Sequence, residues 1–150
     1  MAEALQIVCP SCDAVNRIAS DRLAADASRA ICGRCKGRLF TGQPVALDTP
    51  ERFERHVARG ALPVLVDFWA PWCGPCLQMA PAFAKAAAAL EPRVRLAKTN
   101  TEAAPSLGAR YGIQAIPTMV LFKGGREVAR QSGALQAAAI VRFAEAHLGN

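Results

Sequence analysis

Six cysteines, set as three Cys-x-x-Cys pairs, are the residues of this chain best suited to chemistry: Cys9/Cys12, Cys32/Cys35 and Cys73/Cys76. A thiolate is a nucleophile and a soft metal ligand. Two sulfurs at this spacing either close a small disulfide ring or share one metal ion. The surroundings separate the three pairs. The first two lie nineteen residues apart in a segment of short strand-like runs, and together they form a four-thiolate pattern for one tetrahedral ion. Gly33 and Gly37 suit the tight backbone turns of such knuckles. Zn2+ on Cys9, Cys12, Cys32 and Cys35 is the reading preferred here; two short disulfides or an iron site are the alternatives, less suited to a reducing compartment. So small a segment has little core, so the metal should supply much of its stability.

The third pair, Cys73-Gly74-Pro75-Cys76, falls where an apolar run meets an alanine-rich segment, a strand-to-helix junction. There the helix N-terminus stabilises the thiolate of Cys73. Three residues on, Cys76 shares its face of the helix. Gly74 relieves crowding, and Pro75 loses no hydrogen bond in a first helical turn. Cys73 is expected to attack and Cys76 to resolve. Without a nearby histidine or second pair, metal binding at this site is disfavoured.

The elements that must position these groups follow from the pattern. Thr49-Pro50-Glu51 starts a helix that ends at Gly60. Val64 to Trp69 reads as a central strand buried on both faces. A helix is expected from about Cys73 to Leu90, kinked at Pro81. Val94 to Lys98 is a strand, Ala104 to Arg110 a short helix, and Thr118 to Phe122 pairs with Arg126 to Arg130 through a Gly124-Gly125 turn. Leu135 to Leu148 closes the chain as a helix. The order implies an α/β fold with a mixed sheet flanked by helices, preceded by a zinc-ribbon module. The junction is placed near Thr41-Gly42-Gln43-Pro44, giving a module over 1–42 and a domain over 43–150.

Asp67 stands alone in the apolar strand, six residues before Cys73. Burial should raise its pKa, which suits a group that takes and returns the proton of Cys76. A helix-capping or solvent-facing role is the alternative.

Trp69-Ala70-Pro71-Trp72-Cys73-Gly74-Pro75-Cys76 resembles the active-site signature of the thioredoxin family. The resemblance continues through Val66-Asp67-Phe68, Met79-Ala80-Pro81, Ile116-Pro117-Thr118, Phe122-Lys123-Gly124-Gly125 and Gly133-Ala134, covering residues 45–150. It implies a thioredoxin fold and a protein-disulfide reductase re-reduced by an NADPH-dependent thioredoxin reductase, with the reducing poise that thioredoxin has, about −270 mV. It further implies a cis bond before Pro117. It also implies a substrate patch of Trp72, Gly74, Pro75, Ile116, Pro117 and Gly133, on which the Ile116 backbone pairs with an extended substrate strand. Lys98 corresponds to a lysine near the buried aspartate, as an electrostatic tuner or simply a surface residue. Leu77 departs from the family, many of whose members carry a basic residue after the second cysteine. The metal-binding head before such a domain resembles the second, zinc-containing bacterial type of this family.

Composition excludes other classes. The chain has 150 residues, 52% hydrophobic and 20% charged, which rules out a disordered chain. This length buries roughly 70% of its unfolded surface without disulfides. The net charge of +6 is dispersed, with only +1 on residues 1–48 and a single aromatic there, Phe40, so no nucleic-acid partner is expected. No membrane span or leader is legible, and a cytoplasmic monomer without organic cofactor is the expectation. His56 and His147 are read as solvated. The rival function is a redox sensor in which oxidation ejects zinc and changes the partners of the head.

Overall fold

The computed structural model describes residues 3–148, so the outermost positions of both expected domain spans lie outside the described residues. Strands β1 (Ala4–Val8) and β2 (Val15–Ala19) form an antiparallel hairpin whose last pair, Val8 and Val15, brackets the first cysteine knuckle. Helix α1 (Ser20–Asp26) and a short 3-10 turn return the chain to the second knuckle, closed by an Ile31–Arg38 bridge. Ile7, Leu23, Leu39 and Phe40 form the apolar centre of this head, and Leu62 from beyond the junction packs against it.

The rest of the chain winds one five-stranded sheet in the order β3-β5-β4-β6-β7. Its strands are β3 (Val45–Ala46), β4 (Val64–Trp69), β5 (Arg95–Asn100), β6 (Thr118–Lys123) and β7 (Arg126–Ser132). The first three run parallel; β6 and β7 are antiparallel additions at one edge. β4 is the central strand and is buried over Val64 to Phe68, as its unbroken apolar run requires.

Helices cover both faces. Helix α2 (Pro50–Arg59) starts at Thr49, whose hydroxyl accepts the Arg52 N–H at 3.2 Å, with Pro50 in the first turn. It lays Phe53 and Val57 on Val64, Val66, Phe68, Val120 and Phe122. Helix α4 (Pro105–Arg110) adds Leu107 to that side. On the opposite face α3 (Gly74–Leu90) and α5 (Ala137–Glu145) pack Met79, Phe83, Leu90 and Ile140 against Leu65, Leu96 and Leu121. The spacing of Cys76, Met79, Phe83, Ala87 and Leu90 places these side chains on one buried stripe of α3.

The expected α/β architecture is present, with differences in detail. β3 was not foreseen, because two residues are too few to show a period. Helix α3 spans Gly74–Leu90 much as expected, with Pro81 inside it on an exposed turn. The closing helix is shorter than Leu135–Leu148, because Gln136 is extended and serves as its N-cap. His56 is not solvated: only 3% of it is exposed. It lies on the face of α2 that meets the head, where Nε2 is 2.7 Å from Asp13 Oδ1. Burial holds its pKa below the usual histidine value. His147 is exposed, as expected.

Candidate active site and metal centre

Strand β4 ends at Trp69, and four residues later Cys73 caps α3 with extended backbone. Its sulfur accepts the Cys76 N–H at 3.2 Å, so one of the free donors of the helix start is turned towards the Cys73 sulfur. Cys73 and Cys76 are joined in a disulfide, with Cα atoms 5.2 Å apart. Ala70, Trp69 and Ile116 pack around the pair. The Cys73 sulfur lies 3.8 Å from the Ile116 carbonyl oxygen.

The residues expected to form a patch come from three segments, of which Ile116 lies against this sulfur. Trp72 is 70% exposed despite its large apolar ring. Gly74 and Pro75 form the exposed first turn of α3. The Ile116–Pro117 bond is cis, and the Pro117 carbonyl accepts the Gly133 N–H at 2.9 Å, which ties the two loops together. Gly133 has φ +97°, a conformation that favours glycine, and no neighbouring atom lies within 4 Å of where a Cβ would stand. Leu77, the departure from the family pattern, is 53% exposed one residue beyond the pair.

Asp67 is fully buried and both its carboxylate oxygens lack a hydrogen-bond partner. Alternation along β4 puts it on the same face as Leu65 and Trp69, between the core under α3 and the disulfide cluster. Burial pushes its pKa up to about 7, with the Lys98 charge pulling the other way. Lys98 occupies the paired position on β5 and is half-buried, its Nζ 4.5 Å from the centre of the Trp69 ring. Neither the capping nor the solvent-facing alternative for Asp67 survives this placement. The Trp69 indole N–H is likewise buried without a partner, a feature that sequence patterns cannot register.

The remaining four cysteines converge. Their sulfurs all lie within 4.8 Å of one another. Cys9 and Cys35 approach to 3.7 Å, Cys12 and Cys32 to 3.6 Å. Tetrahedral zinc with bonds of about 2.3 Å needs sulfurs roughly 3.8 Å apart, so the donor set fits that ion. The two knuckles repeat one design. In each, the residue after the second cysteine donates to the carbonyl of the first at 3.0 Å: Asp13 to Cys9, Lys36 to Cys32. Both residues have positive φ, +65° and +67°. Ser11 and Arg34 N–H groups each donate to a knuckle's first sulfur at 3.4 Å, and Asn16 Nδ2 reaches Cys32 Sγ at 3.5 Å. Such donors favour thiolates and orient them.

Sequence reasoning missed the contacts that dock this head on the sheet. Asp13 accepts from Arg52 and His56 of α2. Arg95 at the start of β5 is buried against Glu91 at 2.9 Å and donates to the Val8 carbonyl at 3.2 Å. An arginine inside the apolar run Val94–Ala97 was the signal that the sequence offered.

Comparison with known proteins agrees with this geometry. The family model described as Thioredoxin matches residues 44–146, and the one described as Thioredoxin 2, N-terminal, a zinc ribbon, matches residues 8–37. Thioredoxin C-3 of Corynebacterium nephridii is 45% identical over 87% of this chain and 86% of its own length. Thioredoxin 1 of a Nostoc species is 41% identical over 67% of this chain and 94% of its own length. The crystal structure of a thioredoxin from Malassezia sympodialis superposes with a TM-score of 0.63 at 28% identity, covering 69% of this chain and 90% of that one. The chain therefore belongs to the thioredoxin family of protein thiol-disulfide oxidoreductases and carries a zinc-ribbon head of the thioredoxin 2 type.

Proposed function

We propose that the chain reduces disulfides of other proteins with the Cys73/Cys76 dithiol. The Cys73 thiolate attacks one substrate sulfur, and the other leaves as a thiolate. Cys76 passes its proton to Asp67 and attacks the Cys73 sulfur, which closes the pair and releases the second substrate thiolate. Two electrons move from the dithiol to the substrate. An NADPH-dependent thioredoxin reductase then returns two electrons to Cys73–Cys76. Trp72, Gly74, Pro75, Ile116, Pro117 and Gly133 bind the substrate segment, with the Ile116 backbone free to pair with it. Lys98 tunes Asp67 from the neighbouring strand. The observation that carries this reading is the disulfide at the start of α3, with the Cys76 N–H on the Cys73 sulfur. The orphaned carboxylate of Asp67 faces the same side of the sheet. The test is turnover of insulin disulfides with a dithiol as the electron source. The intact protein should turn over and Cys73→Ser should not; retained turnover in that variant contradicts the reading.

Cys9, Cys12, Cys32 and Cys35 would hold Zn2+, which when bound supplies folding energy to a head with a small core. With this reading go a head over 1–42, a catalytic domain over 43–150, a monomeric state and a cytoplasmic location.

A second reading, oxidative zinc release, is favoured by the close Cys9–Cys35 and Cys12–Cys32 approaches and the exposure of Cys35. Two equivalents of peroxide, one per pair, would each accept two electrons and be reduced to water or alcohol, forming two disulfides and freeing the ion. This reading requires zinc release, followed with a chromophoric chelator, to precede loss of insulin turnover at low peroxide. Simultaneous loss sinks it.

A further inference from the structure

The first knuckle is gripped from outside the head. The Asp13 carboxylate takes three hydrogen bonds from Arg52, two from Nε at 3.1 and 3.0 Å and one from Nη2 at 2.9 Å. His56 Nε2 lies 2.7 Å from the same carboxylate. Arg52 Nη2 also donates to the Pro10 carbonyl at 2.6 Å, inside the Cys9–Cys12 turn, and its Nη1 to the Ala46 carbonyl at 2.8 Å. Arg55 Nε donates to the Asp13 carbonyl at 2.9 Å. One turn of α2 thus binds the knuckle at both backbone and side chain, next to Cys12, where the backbone needs φ +65°.

We infer that Arg52, Arg55 and His56 of α2 are positioning residues of the metal centre: they hold Cys9 and Cys12 in ligating geometry, so that metal affinity and stability of the catalytic domain are coupled. The inference rests on the reading of the four cysteines as a zinc site. The physical basis is preorganisation. A ligand loop held by outer hydrogen bonds loses less freedom on binding, and loss of such partners typically weakens metal sites 10- to 100-fold. Coupling is reciprocal, so the ion that rigidifies the knuckle also secures the partners of Arg52 and His56. The planar fork of Arg52 meets a carboxylate and two carbonyls at once, which lysine cannot do.

The experiment uses the full chain, reduced beforehand and freed of reductant under inert gas. Zinc is titrated against a chromophoric chelator for the parent, Arg52→Met, Asp13→Asn and the double variant. Asparagine tolerates the positive φ at position 13. Each single variant should bind zinc about 10- to 100-fold more weakly, and the double variant should lose less than the product of the two single losses, since the Arg52–Asp13 contact is shared while the bonds of Arg52 to Pro10 and Ala46 and the contact of Asp13 with His56 are not. In parallel, urea unfolding is followed by tryptophan emission. Both tryptophans, Trp69 and Trp72, lie in the catalytic domain, so the signal reports on that domain and not on the head. Zinc should raise the parent's urea midpoint, and Arg52→Met should abolish the zinc-dependent part. Affinities within about two-fold of the parent, or a parent midpoint indifferent to zinc, would overturn the coupling while leaving the zinc site standing. A parent that takes up no zinc would overturn the metal reading and this inference with it.

Discussion

Asp67 and Lys98 are paired neighbours on parallel strands, yet the ammonium group sits over the Trp69 ring and the carboxylate keeps no hydrogen-bond partner. A buried acid left in this state is easily protonated. Its pKa of about 7 places the proton change where a thiol-disulfide catalyst works.

The same placement carries a stability signature. The folded pKa of Asp67 lies above its ordinary 3.8, so the native state binds more protons than the unfolded chain between those values. The contribution of this group to stability is therefore full below pH 3.8, declines as pH rises to about 7, and stays lost above. The interval corresponds to about 4 kcal/mol as an upper bound. Asp67→Asn should thus be more stable than the parent at pH 8, with the gap closing towards pH 4. Urea midpoints at the two pH values check this; a constant gap contradicts it.

The kinetic counterpart concerns resolution. If Asp67 accepts the Cys76 proton, the release step of the parent rises with pH through about 7, the range in which the carboxylate forms. Asp67→Asn should lose that inflection and slow release by about 100-fold at neutral pH. Rapid-mixing measurement of product thiol across pH 5–9 reads both effects.

Trp72 is held out in solvent at 70% exposure beside the disulfide, where a partner protein would cover it. Trp72→Ala should raise KM for a protein disulfide about ten-fold. Reduction of a small disulfide such as oxidised lipoate should barely change. Equal losses on both substrates would show that the ring supports the site itself instead of the partner.

Removal of zinc should change insulin turnover by less than about five-fold, the low end of allosteric coupling. The head meets α2 and the segments entering β4 and β5, through Ala61–Gln6 and Arg95–Val8. Cys73 stands at the other end of β4. Turnover by zinc-loaded and chelator-treated protein at 25 °C, well below unfolding, provides the comparison.

The active pair and its flanking elements were legible because they are local. Cys73-Gly74-Pro75-Cys76 declares a strand-to-helix turn by its residue types, and the two-sided apolar run of β4 declares a central strand. Asp67 was readable for the same reason, being the one charge in that run. The convergence of Cys9, Cys12, Cys32 and Cys35 was readable from spacing alone. Docking was not. Asp13 and His56 are 43 residues apart in the chain, and each looks like an ordinary surface residue until the fold brings them together. Long-range pairs of this kind leave no period in a sequence.

Cys73, and not a cysteine of the head, is expected to attack substrate disulfides. Reduced, zinc-loaded Cys76→Ser protein is mixed with a disulfide-containing protein, and peptides are mapped by mass spectrometry. Without Cys76 the mixed disulfide cannot be resolved and accumulates. One adduct is expected, joining Cys73 to a substrate cysteine. No adduct, or one on Cys9, Cys12, Cys32 or Cys35, would contradict it.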